Sequence, residues 1–172
     1  MTIKAIFAGN KISSNTKIAQ DLFASQRFGE QVGEKIQYSM AETLFLIESK
    51  KMELYDSKDK KIPGKKVINM FEKIDSKFMT KYLVFKDLRK KGYIVKTALK
   101  FGADFRVYEP GKKVGQDHAK WILYPVDENQ KMTWHDFSAK NRVSHSVNKN
   151  LLIAIVDEEG DISYYEVKWT RP

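Results

Sequence analysis

The chain has no cysteine. That excludes a disulfide framework, a cysteine-ligated zinc site and a thiol nucleophile, and it fits a reducing compartment. There are only three histidines, His118, His135 and His145, and no His-x-x-x-His pair or carboxylate cluster with zinc-ligand spacing accompanies them. Gly-x-Ser-x-Gly and the phosphate-binding P-loop are both missing, which argues against serine-hydrolase and nucleotide-hydrolase chemistry. No apolar run approaches the ~18 residues of a membrane span. The opening Met1-Thr-Ile-Lys-Ala-Ile-Phe7 turns polar too soon for a signal peptide. No internal repeat or low-complexity segment is present. These absences lead us to expect a soluble, cytoplasmic protein without a membrane association.

What remains is ordinary globular material. Apolar residues make up 42% of the 172 and charged residues 31%, so wholesale disorder is excluded. A folded chain of this size buries roughly 68–70% of its unfolded surface. The balance of 31 Lys+Arg against 22 Asp+Glu leaves a net charge of +9. The excess is +5 in residues 1–81 and +4 in residues 82–172, so no basic tail carries it. A basic chain is drawn to polyanions, nucleic acid above all.

The first part reads as mixed α/β. Ile3–Phe7 suits a strand, with Gly9-Asn10 as its turn. Ser39-Met-Ala-Glu42 has capping-box spacing and opens a helix to about Ser49, followed by a short strand at Met52–Tyr55. Residues 56–66 are polar, Lys-rich and broken by Pro63-Gly64, which predicts a loop before helices at Val67–Ile74 and Phe78–Lys91. Short β-type segments then follow at Tyr93–Thr97, Asp104–Tyr108 and Ala119–Tyr124. Thr133-Trp-His-Asp136 is a second capping-box spacing and predicts a helix to about Val147. Leu151–Val156 is continuously apolar, as befits a strand buried on both faces. Asp157-Glu-Glu-Gly-Asp161 predicts a hairpin turn, with the chain returning as a strand over Asp161–Trp169. The expected fold class is therefore α/β (α+β). A small mixed α/β domain over 1–78 precedes an α/β domain over 79–172, with a central mixed sheet flanked by helices.

The C-terminal half also resembles a known family. Tyr82-Leu-Val-Phe-Lys-Asp-Leu-Arg-Lys-Lys-Gly-Tyr-Ile-Val-Lys96, Phe101-Gly-Ala-Asp-Phe-Arg-Val-Tyr108, His118-Ala-Lys120, Tyr124-Pro-Val126 and Arg142-Val-Ser-His-Ser-Val-Asn-Lys149 occur in order. Leu151–Val156 and Tyr164-Tyr-Glu-Val-Lys-Trp169 close the series. This pattern, over about residues 80–170, resembles the catalytic domain of the archaeal tRNA-splicing endonucleases. Ala41–Tyr55 looks like that family's smaller N-terminal domain.

The resemblance implies a catalytic set of Tyr108, His118 and Lys149. RNA carries its own nucleophile, the 2′-hydroxyl beside the scissile phosphate. What remains is to remove that proton, protonate the departing 5′-oxygen and offset the charge that builds on phosphorus. By resemblance Tyr108 is the base, His118 the acid and Lys149 the electrostatic stabiliser. The products are a 2′,3′-cyclic phosphate and a 5′-hydroxyl, with no metal ion and no cofactor. Arg142 and Trp169 match positions that sandwich a bulged base of the RNA. The acidic turn, Asp157, Glu158, Glu159 and Asp161, corresponds to a loop that docks on a basic pocket of another subunit. The short two-domain chain resembles the family's homotetrameric form. The implied partner is precursor tRNA carrying a bulge–helix–bulge, read by shape.

Two other readings stay open on the residues alone. One is a non-catalytic basic RNA-binding or scaffold subunit. The other is a metal-dependent DNA nuclease built on Glu166-Val-Lys168, with Asp157 or Asp161 as a second carboxylate for Mg²⁺.

Overall fold

Ile3–Ala8 forms strand β1, with Ile3 and Ala5 fully buried and the intervening side chains exposed. Gly9 and Asn10, both with φ near +60°, make the two-residue turn that leads into β2 (Lys11–Ser14). That geometry matches the natural twist of paired strands. The computed structural model describes residues 2–172; Met1, where the expected first domain begins, lies outside them. The chain divides into two compact units, Met1–Phe78 and Met79–Pro172.

In the first unit, Thr16 caps helix α1 (Lys17–Gln26), and a hairpin of β3 (Glu30–Val32) and β4 (Lys35–Tyr38) follows. Helix α2 (Met40–Glu48) starts with the capping box that the sequence predicts: Ser39 Oγ accepts from Glu42 N, and Glu42 Oε2 accepts from Ser39 N at 3.0 Å. Strand β5 (Met52–Asp56) then pairs parallel to β1, giving the order β3-β4-β2-β1-β5. Helix α3 runs Gly64–Ile74 and so starts three residues before the expected Val67. Pro63, with φ −63° and extended ψ, hands the chain directly into its first turn. The Lys-rich loop is pinned by its own acid, since Asp56 Oδ1 accepts from Lys58 N and Lys60 N.

The second unit is built on one five-stranded sheet in the order β10-β9-β8-β7-β6. After helix α4 (Phe78–Lys90), β6 (Ile94–Ala98), β7 (Ala103–Tyr108) and β8 (Trp121–Asp127) pair antiparallel in turn. Helix α5 (Trp134–Ser146) carries the chain back so that β9 (Asn150–Val156) lies parallel to β8, and β10 (Ile162–Val167) closes an antiparallel hairpin. The apolar run of β9 occupies an interior position with Leu151, Leu152, Ile153 and Ala154 all buried. Each such leucine or isoleucine stabilises the fold by about 1.5–3 kcal/mol.

Both faces of this sheet are covered. On one, Phe85 of α4 meets Phe105 with ring centroids 6.0 Å apart, and the Tyr164 hydroxyl donates to Asp87 at 2.7 Å. On the other, Phe137 of α5 and Val147 pack on Ile122, Tyr124, Leu151 and Ile153. Strand β8 reaches three residues further than the expected Tyr124, through Pro125. Its pairing with β7 stops at Leu123, so Pro125 faces a partner only in β9, and a residue without an N–H is tolerated on the open side. Among the described residues no helix is long and apolar enough to cross a membrane.

Candidate active site

Three strand ends meet at one end of the second sheet, and the register dictates which residues they bring. Strand β7 runs toward Tyr108 while antiparallel β8 starts beside it: Val107 is the partner of Trp121, and Lys120 N donates to Val107 O at 2.8 Å. Parallel β9 starts at the same level, with Trp121 opposite Asn150 and Asn150 N donating to Lys120 O at 3.1 Å. The end of β7, the segment leading into β8 and the segment leading into β9 are therefore neighbours. Those segments carry Tyr108, His118 and Lys149.

All three side chains line one cavity of about 360 Å³, together with Phe101, Arg106 and Asp117 among others. Tyr108 is buried, against Ile94 and Ala119. His118 is exposed, and Lys149 is half-buried. Lys149 is set by the end of α5, where Asn148 adopts a left-handed φ of +54° and Lys149 N donates to Ser144 O at 2.9 Å. Its ammonium donates to Val147 O at 3.0 Å, which engages one of its three N–H groups. The loop before β8 is held from within: Asp117 Oδ2 accepts from Lys113 N at 2.6 Å, and Lys120 pairs with Glu109 at 2.8 Å. The Glu109 hydrogen bond raises the Lys120 ammonium above its usual range.

Arg142 lies on the exposed side of α5. Trp169, half-exposed beyond β10, sits against the same helix: its ring centroid is 4.8 Å from that of His145, one turn after Arg142, and the Arg171 guanidinium lies 5.4 Å from it. The acidic turn divides in two. Asp157 Oδ1 accepts from Glu159 N at 3.0 Å and Asp161 N at 2.8 Å, so this carboxylate closes the hairpin. Glu158, Glu159 and Asp161 are exposed.

The carboxylates considered for a metal do not converge. Glu166 accepts from Trp121 Nε1 at 2.6 Å and pairs with Lys168 at 2.9 Å, contacts that hold its carboxyl below the usual range. Asp161 is five residues away along an extended strand, about 16 Å at the usual rise. Among the described residues no group of three or more His, Cys, Asp or Glu side chains is arranged to hold a metal ion.

Arg106, a further wall residue, was not singled out by the sequence reading. The signal lay in strand alternation: two residues before Tyr108, it must share that residue's face.

Comparison with known proteins agrees with this architecture. The family model for the tRNA intron endonuclease N-terminal domain matches residues 3–67, and that for the catalytic C-terminal domain of the same enzymes matches residues 78–164. This chain belongs to the tRNA intron endonuclease family. The tRNA-splicing endonuclease of Thermococcus kodakarensis is 39% identical over 165 residues, covering 95% of this chain and 96% of that one. That of Methanothermobacter thermautotrophicus is 40% identical over 157 residues, 91% of each chain, and that of Nanoarchaeum equitans 39% identical over 139 residues, 77% of this chain and 88% of the other. Tyr108, His118, Arg142 and Lys149 all fall inside the segment matched as the endonuclease catalytic domain, whereas Trp169 lies beyond it.

Proposed function

We propose that this chain is a tRNA-splicing endonuclease that cuts precursor tRNA at bulge–helix–bulge sites by attack of the 2′-hydroxyl on the adjacent phosphate. The observation that carries the reading is the shared cavity of Tyr108, His118 and Lys149, drawn from three segments that the sheet register makes neighbours. Tyr108 accepts the 2′-hydroxyl proton as the O2′–P bond forms. His118, on the solvent-open side of the cavity, gives a proton to O5′ as the P–O5′ bond breaks. Lys149 offsets the negative charge on the phosphoryl oxygens. The products are a 2′,3′-cyclic phosphate and a 5′-hydroxyl, and the three side chains supply the base, the acid and the counter-charge without a metal ion.

Arg142 and Trp169 grip a bulged base beside this cavity. Support for that role is that Arg142 belongs to α5 and Trp169 packs on its His145, in the helix that ends three residues before Lys149. The exposed acids Glu158, Glu159 and Asp161 dock on a basic surface of a second copy, building a homotetramer in which two cavities meet two bulges.

The deciding experiment is cleavage of a bulge–helix–bulge RNA in excess EDTA by wild type and by His118→Ala. We expect wild type to cut in both bulges and leave cyclic phosphate ends, with His118→Ala slowed about 10²–10⁴-fold. Cleavage only with added Mg²⁺, or an unaffected His118→Ala, refutes the mechanism.

A further inference from the structure

Arg106 sits at mid-strand on β7 and lines the cavity with Tyr108, His118 and Lys149. Its guanidinium lies 5.9 Å from the centroid of the Tyr108 ring. A position on a strand inside a paired sheet fixes the base of the side chain more firmly than a loop would.

The cross-strand partner of Arg106 on β6 is Lys96, which is only 3% exposed. Residues directly opposite across antiparallel strands point to the same face, and like charges there destabilise the pair. Each of the two makes other contacts as well. The placement makes physical sense if a mobile anion enters the cavity and is met by fixed cations.

The cavity is charged accordingly. Arg106 and Lys149 are its permanent cations, and Asp117 is its one carboxylate. Asp117 is spent on its own loop, accepting from Lys113 N at 2.6 Å and facing Lys112 Nζ at 3.8 Å. The wall is therefore net positive before His118 is counted.

We propose that Arg106 is a further catalytic residue: its guanidinium contacts the non-bridging oxygens of the scissile phosphodiester alongside Lys149. The inference rests on the cleavage reading above. A guanidinium presents a planar fork of donors that matches two phosphoryl oxygens at once, whereas an ammonium acts as a point charge. Such a contact strengthens as negative charge accumulates in the transition state, so it acts on kcat more than on KM.

The test compares wild type, Arg106→Gln and Arg106→Lys on the same bulge–helix–bulge RNA. Urea unfolding is measured for each protein, and binding is measured with an RNA made uncleavable by 2′-deoxy substitution at both cut sites. We expect Arg106→Gln to lower kcat by about 10²–10³-fold, with binding of the uncleavable RNA weakened less than about tenfold. Arg106→Lys should recover only part of the lost rate. Wild type that cuts beside an equally fast Arg106→Gln overturns this inference alone; wild type that does not cut overturns the cleavage reading beneath it. If Arg106→Gln does not fold, Arg106→Lys decides, and full activity in that variant refutes the forked contact.

Discussion

Glu42 offers a direct test of how the first unit is held together. Its side chain is 4% exposed and its carboxylate serves two segments. Oε1 accepts from Gly29 N at 2.9 Å, while Oε2 accepts from Ser39 N at 3.0 Å and from Ser39 Oγ at 3.1 Å. Replacing Glu42 by Gln keeps the shape but leaves one acceptor oxygen and turns the other into an NH₂ donor. If the oxygen stays at the capping box, the NH₂ confronts the Gly29 N–H; if it flips, the NH₂ confronts Ser39 N. The Gly29 turn has a φ of +78°, and even a Cβ there would collide with the Ile36 side chain and crowd the Gln37 carbonyl. A hydrogen bond to a charged group is worth about 1.5–3 kcal/mol and a stranded buried donor costs about 1–3 kcal/mol, so we expect Glu42→Gln to destabilise by about 2–4 kcal/mol. In urea, with a slope near 2 kcal/mol/M, the unfolding midpoint should fall by roughly 1–2 M without a change of slope. Glu42 does not line the cavity, so cleavage by the folded variant should match wild type. A loss below about 0.5 kcal/mol, within the range of an ordinary surface substitution, would refute the argument that this carboxylate ties the Gly29 turn to α2.

Three further outcomes follow from the buried tyrosines and the acidic turn. Burial pushes the phenols of Tyr38, Tyr124 and Tyr164 above their usual range, and at Tyr164 the Asp87 hydrogen bond adds to it. The folded state then keeps protons that the unfolded chain releases above about pH 10. The contribution of these tyrosines to stability should thus be constant below that pH and fall as pH rises beyond it; urea midpoints measured across the alkaline range should show a shallower fall in Tyr164→Phe, and an unchanged alkaline limb in that variant would count against the assignment. In the acidic turn, Asp157→Ala should cost about 1 kcal/mol by removing two hydrogen bonds to the turn backbone. Neutralising Glu158, Glu159 and Asp161 together should instead leave monomer stability within about 0.5 kcal/mol while abolishing the tetramer in light scattering and RNA cleavage with it. A persistent, active tetramer in the triple variant would refute the docking role.

The parts of the fold legible in the sequence are those where one physical signal is strong. The unbroken apolar run of β9 marks an interior strand because only such a strand is covered on both faces, and the observed burial of Leu151–Ala154 follows. Both capping boxes, at Ser39 and Thr133, form as their spacing requires. Residues 11–38 carry weaker signals. Helix α1 has a short apolar stripe, Ile18, Ala19, Leu22 and Phe23, of which only Ala19 is fully buried, and every residue of β3 is exposed, so no alternation betrays that strand. Strand β3 is held by its hairpin with β4, and α1 begins at the Thr16 cap.

The candidate site was legible by resemblance to a family and not by spacing. Tyr108, His118 and Lys149 each sit where a structural role would suffice: a strand-end aromatic, an exposed loop imidazole and a cation past a helix C-terminus. What brings them together is topology. Antiparallel β7–β8 pairing puts the end of one strand at the start of the next, and the parallel return through α5 puts the start of β9 at that same level. A convergence of this kind depends on strand direction, which composition and periodicity do not carry. Arg106 illustrates the converse. Alternation alone sets it on the face of Tyr108, and its register places it opposite the buried Lys96. Arg106 lines the same cavity as the three residues that the family resemblance named.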